Sequence, residues 1–573
     1  MCDGGRQIGA ASQIPSWIAP GRAHNNEVSA PPRLACWLVA AALCGCEGEV
    51  GGNPDASGGA AGNAVAQGGS AVAQGGGAGG LSQPQGSTML RRLNRLELAN
   101  TLSSVTGAAV VAEDLLPPDP EVQGFDTVAT ALETTPATVE QLMQLASSTA
   151  SALGPADLGA CANPADERGC ALERIAAFAR RSLRRPATTS ELASYAALYD
   201  DVQAREGNAV ALSTVAERLL ASPDFLYRLE LGTNAAGKLS EHELAARLAF
   251  TFWESPPDAE LSQLADNGGL SAALPAQVER LLQDARAKKV FTRFLSGWLR
   301  TSEIAGTTKD PASYPAFAAL KPQLVSELSG FVSALVDDDA AVAAIVTAPF
   351  TLAGPELAAF YGATHPGNGV VKITLADRPG LLTRAAFLST FGRARGSSPI
   401  RRGSFIRQRL LCLPLGVPPP GADALAPEAV ATTTTREFFT TLTSPPNCQG
   451  CHRLLNPLGF ALEQYDGVGS FRTLENGVNV DASAEVALSG DATQHVSGAA
   501  ELAAAIAADP QLVRCLATQW FRSRFGRIET GGDASIIAAL ESGLGSGQHL
   551  FDAARALGQL PELGLAHFRK EAP

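Results

Sequence analysis

Five consecutive residues, Cys448-Gln449-Gly450-Cys451-His452, carry the most specific chemistry in this sequence. With 10 Cys and 7 His in 573 residues, a CxxCH run is expected by chance only roughly 0.002 times. Two thiols three positions apart on one helical turn reach the two vinyl groups of a porphyrin. The imidazole that follows then points at the iron. This is the attachment signature of c-type haem. The expectation is haem c held covalently by Cys448 and Cys451, with His452 as proximal iron ligand. Other chemistries use the same residues. The two thiols can form a redox disulfide tuned by His452, or a structural disulfide left from a former haem site. A zinc site fits less well, because adjacent Cys451 and His452 sit awkwardly in one tetrahedron and no second CxxC follows.

A sixth iron ligand is harder to find. The three Met residues, Met1, Met89 and Met143, all lie far upstream of the motif. His495 is the nearest His downstream and the candidate distal ligand, although its polar stretch SGDATQHVSG reads as a loop. An open sixth position is the alternative, and it suits reaction with a small oxidant. Arg393, Arg395, Arg401, Arg402, Arg407 and Arg409 crowd one stretch of an otherwise acidic chain. They can pair with haem propionates, but ion pairs to the 57 acidic residues and a solvated surface are the preferred reading. Glu463 and Asp466 follow the motif closely, and loop capping is expected of them rather than a carboxylate pair.

These residues need elements to hold them. Arg91–Leu102, Ile175–Leu183, Ala211–Leu220, Gln277–Trp298 and Leu320–Val336 show helical periodicity. Thr188 with Glu191 and Ser240 with Glu243 read as capping boxes; after the second, Leu244, Leu248 and Phe252 recur on one face. Strand signals are few: VVKITL at 370–375, and two short runs flanking Asn476-Gly477, a type I′ hairpin signal. The predicted fold is mainly α, a multi-domain helical body with small β pieces and a C-terminal cytochrome-c-like helical module. The predicted modules span 88–150, 151–235, 236–365, 366–480 (with the CxxCH) and 481–573.

Residues 34–45, LACWLVAAALCG, form a twelve-residue apolar run, too short to span a bilayer but suited to a secretion signal. The run leads into Leu43-Cys44-Gly45-Cys46, which resembles a lipobox with Cys46 as the acylated residue. Residues 1–46 are therefore expected to be a lipoprotein leader. Residues 47–87, rich in Gly, Ala, Ser and Gln, form a flexible tether with a mean reach of about 35 Å. The expected location is outside the cytoplasm: an outer-membrane or periplasmic lipoprotein, or the cell surface. In that oxidising space the remaining cysteines are expected to pair as Cys161 with Cys170 and Cys412 with Cys515.

The net charge of −13 gives no electrostatic footprint for nucleic acid. P-loop, dinucleotide fingerprint, nucleophile elbow and HExxH motifs are all missing from the sequence. Hydrophobic residues at 45% against 18% charged permit packed cores and exclude a wholly disordered chain.

CQGCHRLLNPLGFALEQYDGVGSFR, from Cys448 to Arg472, resembles the C-terminal part of a multi-domain bacterial family of unknown function. That family is typical of planctomycetes and myxobacteria and is often described as cytochrome-c-like. Asn456 stands where the family usually has Asp, and Tyr465 where it has Phe. RRLNRLELANTL with Gly124–Thr127, FARRSLRRP with ASPDFLYRLE, and LSEHELAARLAFTFWESPPDAEL are similar to the first three modules in family order, SPIRRGSFIRQRLLC to the fourth, which contains the CxxCH, and RCLATQWFRSRFGR to the last. The resemblance covers about 89–560 and implies an architecture, with no established activity. Two functions follow as expectations. One is a lipid-anchored redox protein that moves electrons or reacts with a small oxidant, served by redox partner proteins. The other is a non-catalytic envelope protein that binds polymer or partners and whose CxxCH carries no haem.

Overall fold

Helix boundaries follow the caps. The Thr188–Glu191 and Ser240–Glu243 boxes open helices Thr189–Glu206 and Glu241–Trp253. Each acidic side chain accepts the backbone N–H of its cap residue, and each hydroxyl accepts the backbone N–H of its Glu. A third box, Asn94 with Glu97, starts the first helix at Arg95 rather than at Arg91. Arg91 and Arg92 instead form a short antiparallel strand against Tyr227–Arg228. The run Gln277–Trp298 is two helices, Leu270–Gln283 and Ala285–Leu299. Asp284 leaves helical geometry between them and caps the second through its carboxylate.

The computed structural model describes residues 90–233, 237–416, 432–490 and 492–566. The leader, the tether and Cys46 lie outside these residues. The fold is mainly α, and its strands occur only as two-stranded antiparallel pairs among the described residues. Phe350–Ala353 pairs with Val371–Thr374. The Asn476-Gly477 hairpin is present, both residues having positive φ, with strands of two residues each. The stretch around His495, expected as a loop, is a strand: Thr493–Ser497 pairs with Ser483–Ala487.

The described residues form one compact unit, built around two hydrophobic cores. The first is made by residues 93–226 together with Phe250, and the second by residues 239–563 together with Phe125 and Val128. The segments 88–150 and 151–235 thus share one core, and the three later segments share the other. The first segment also reaches across. Gly124, at φ +80°, lies so close to Gly297 that a β-carbon on it would overlap the Gly297 carbonyl. Phe125 stacks on Phe294, and Asp126 pairs with Arg293.

Both expected disulfides are formed, Cys161–Cys170 and Cys412–Cys515. The second joins residues 103 apart in sequence and links the segment before the CxxCH motif to helix Pro510–Phe525. Among the described residues no helix is long and apolar enough to cross a membrane.

Candidate functional site

The CxxCH motif occupies the first turns of one helix, Pro446–Phe460. Pro446 stands at its first position, where a missing N–H costs nothing and φ is already helical. Cys448 and Cys451 are therefore one turn apart, and both thiols are unpaired and partly exposed. The disulfide readings of this motif are not realised in this structure. No group of three or more His, Cys, Asp or Glu suited to a metal ion occurs among the described residues.

The tautomer of His452 follows from counting protons. The Thr443 hydroxyl donates its one proton to the Phe439 carbonyl at 2.7 Å. Its oxygen must then accept from the Asn456 amide, 2.8 Å away. That turns the Asn456 carbonyl oxygen toward Nδ1 of His452, at 3.2 Å. A carbonyl only accepts, so Nδ1 carries a proton, and in the neutral imidazole Nε2 keeps its lone pair. An iron-ligating imidazole needs this arrangement, and such ligands typically give their other N–H to an orienting acceptor. The residues present fit a covalent haem: two free thiols at the right spacing, and an imidazole whose ligating nitrogen is available.

The far half of the helix is clamped. The short helix Pro399–Phe405 crosses it through two glycines. A β-carbon on Gly459 would lie 2.0 Å from the Pro399 carbonyl oxygen, and one on Gly403 would lie 2.1 Å from that of Leu455. From the same short helix, the fully buried Arg402 donates to the carbonyls of Leu462 (3.1 Å), Tyr465 (2.9 Å) and Asp466 (2.6 Å). These carbonyls lie past the helix end, where intrahelical donors run out. Glu463 is buried between Arg402 and Arg472 and accepts from Arg472 at 2.9 Å and Ser397 at 2.7 Å. Burial pushes its carboxyl above the ordinary value, against the pull of both arginines.

The other sequence candidates separate. Asp466 orients a turn, accepting from the N–H groups of Val468 and Ser470. Glu463 departs from the expected loop cap, because it is the centre of a buried ion-pair network. The arginine stretch also departs from expectation. Arg402 and Arg409 spend their donors mainly on backbone carbonyls rather than on acids or solvent. His495 stands on the outer face of its hairpin, 61% exposed, with Nδ1 on Glu485. The opposite face, Ala484, Val486 and Val496, enters the core. His242, His365 and His549 likewise bond to Asp266, Ala353 and Asp339. The sequence reading missed Asn456 and Thr443 as orienting residues. The only signal was the four-residue step from His452 to Asn456, which puts both on one helix face.

Four family models, each described as a protein of unknown function, match successive stretches: DUF1587 at 91–153, DUF1595 at 170–230, DUF1592 at 239–363 and DUF1588 at 378–475. In this order they match a multi-domain family of unknown function. The DUF1588 stretch contains the CxxCH motif, and its short name includes an abbreviation for cytochrome. Neither a curated protein nor a solved structure matches the chain.

Proposed function

We propose, for a chain whose four successive segments each match a family of unknown function, that residues 446–460 form a c-type haem site on an exported, lipid-anchored redox protein. The observation that carries this reading is the pairing of two free thiols with an imidazole whose Nε2 lone pair is left available. Cys448 and Cys451 would hold the porphyrin by thioether bonds, and His452 would ligate the iron. Bound there, the haem supplies one-electron transfer or, with an open sixth position, reaction with a small oxidant. Asn456 would hold the ring of His452 in place by accepting from Nδ1. The Thr443–Asn456 bond fixes that amide in turn.

Expression with cytochrome-maturation machinery tests the reading. The product should be red, give a pyridine haemochrome of the c type, and keep its haem on denaturation. Cys448→Ala with Cys451→Ala should abolish the covalent link. A colourless product would support the other reading, a non-catalytic envelope protein. No Met–iron charge-transfer band is expected, because Met143 sits in the first core's helix Pro136–Ala152 and no Met follows it. The position of His495 favours an open sixth site, so the ferrous protein should bind carbon monoxide readily, and His495→Ala should leave the spectrum unchanged. Anchoring through Cys46 is tested separately: Cys46→Ala should release the protein from the membrane fraction or block its processing.

A further inference from the structure

Six arginines lie between residues 393 and 409, and the fold engages five of them. Arg402 and Arg409 bind backbone carbonyls, Arg401 donates to the Gly392 carbonyl, and Arg395 faces Asp310. Arg393 donates to the Ser397 carbonyl and lies against the rings of Phe438 and Phe439. Arg407 differs. Among the described residues its side chain has neither a hydrogen bond nor an ion pair, and its Nε is buried without a partner. Burial pulls its pKa down, and no carboxylate opposes that pull. A guanidinium keeps its charge regardless, so this is a partly desolvated cation lacking a counter-charge.

Its location follows from the register of two helices. The Pro399 carbonyl lies against Gly459, and Gly403 lies against the Leu455 carbonyl. Four residues forward along one chain are four back along the other, so the pair is antiparallel. Continued one turn further, that register runs from Arg407 toward Cys451. The following chain agrees. The Leu413 N–H donates to the Arg407 carbonyl at 2.9 Å, and a β-carbon on Gly416 would stand 3.7 Å from Cys451 Sγ. Arg407 also lies in a π-helical turn, Ile406–Leu410. Such turns recur at functional sites.

We propose that Arg407 receives a carboxylate of the porphyrin held at Cys448 and Cys451, an inference that rests on the haem reading above. An iron porphyrin of the c type carries two propionates, and the planar guanidinium fork matches a carboxylate in two parallel hydrogen bonds. The sequence showed six candidates for this role; the structure leaves the one beside the motif.

The test uses the full chain made without maturation machinery, titrated with haemin and with haemin dimethyl ester, whose carboxyl groups carry no charge. The wild-type chain should prefer haemin by about tenfold, the scale of one hydrogen-bonded charge pair. Arg407→Gln should abolish the preference while leaving affinity for the ester unchanged, and Arg407→Lys should restore part of it. His452→Ala should weaken both porphyrins alike. A full preference persisting in Arg407→Gln would overturn the role of Arg407 and leave the haem reading standing. Failure of either porphyrin to bind in a His452-dependent way would overturn the haem reading, and this proposal with it. The Arg407 side chain makes no hydrogen bond or ion pair among the described residues, so its variants should keep the wild-type circular dichroism, which checks that a lost preference is not lost folding.

Discussion

At the N-terminal end of helix Pro446–Phe460, Asn447, Gln449 and Gly450 are exposed and two thiols are unpaired. At the C-terminal end, Leu455, Leu458 and Phe460 are buried, and a neighbouring carbonyl fills the space where Gly459 would carry a side chain. One end presents reactive groups on a surface that tolerates change. The other is chemically inert and has no slack. A helix that must offer its side chains to a ligand cannot also bury them, so its position has to be set from the opposite end. Substitutions along this helix should therefore separate: those near the motif should alter chemistry at little cost in stability, and those beyond Leu455 should do the reverse.

The largest effect is expected at the disulfide that secures the clamp. Cys412→Ser with Cys515→Ser releases a loop of 103 residues, and the stability lost should be about 4–5 kcal/mol. Cys161→Ser with Cys170→Ser opens a separation of only 9, and should cost less, about 3 kcal/mol. Urea midpoints of the two variants give the order, and a reversed order would show that the long link is not what holds the clamp.

Next come two glycines of the same helix. Gly459→Ala drives a methyl group into the Pro399 carbonyl and should destabilise by about 1–3 kcal/mol. Gly450→Ala meets nothing within 4 Å and sits in helical backbone. It should stabilise by about 0.5–1 kcal/mol. Opposite signs for one chemical change would be the sharpest form of the comparison, and equal signs would break it.

Asn456→Leu tests the join between the two ends. The amide is buried and bonds both His452 and Thr443. Its loss should turn the single Nδ1–H tautomer of His452 into a mixture, read from imidazole 15N chemical shifts. An unchanged tautomer would show that something other than Asn456 orients the ring.

A separate effect is a pH dependence on the clamp side. Lys309 donates to the Arg393 carbonyl at 2.8 Å. Burial, reinforced by Arg402 and Arg401, lowers its pKa from 10.5 to about 7. Between those two values the unfolded chain binds a proton that the folded chain does not, so stability should rise as pH increases through that window. Lys309→Met should flatten the rise without affecting thiol reactivity at Cys448 and Cys451.

What could be read without a structure was local or combinatorial. The CxxCH spacing, the boxes at Thr188 and Ser240, and the hairpin at Asn476-Gly477 each depend on residues within a few positions of one another. The two disulfides followed from an even set of cysteines in a chain expected to be exported. Where neighbours in sequence compete with distant partners, local reading failed. Arg91 and Arg92 look like the start of a helix, yet they pair with Arg228 and Tyr227, far along the chain, because the Asn94 cap begins the helix after them. His495 lies in a stretch rich in turn-forming residues, yet it is a strand because Glu485, ten residues earlier, supplies its ladder partner.

The sequence by itself determined which atoms are available for chemistry: two thiols and an imidazole at fixed spacing, since covalent order sets that spacing whatever the rest of the chain does. Only the tertiary structure decided how those atoms are presented. A donated proton at Thr443 determines which nitrogen of His452 is free, and carbonyls at Trp298, Leu462 and Tyr465 occupy arginines that would otherwise be equivalent candidates. Hydrogen bonds saturate, and each donor is assigned only when its partners arrive from elsewhere in the chain, so the difference between Arg402 and Arg407 exists only in three dimensions.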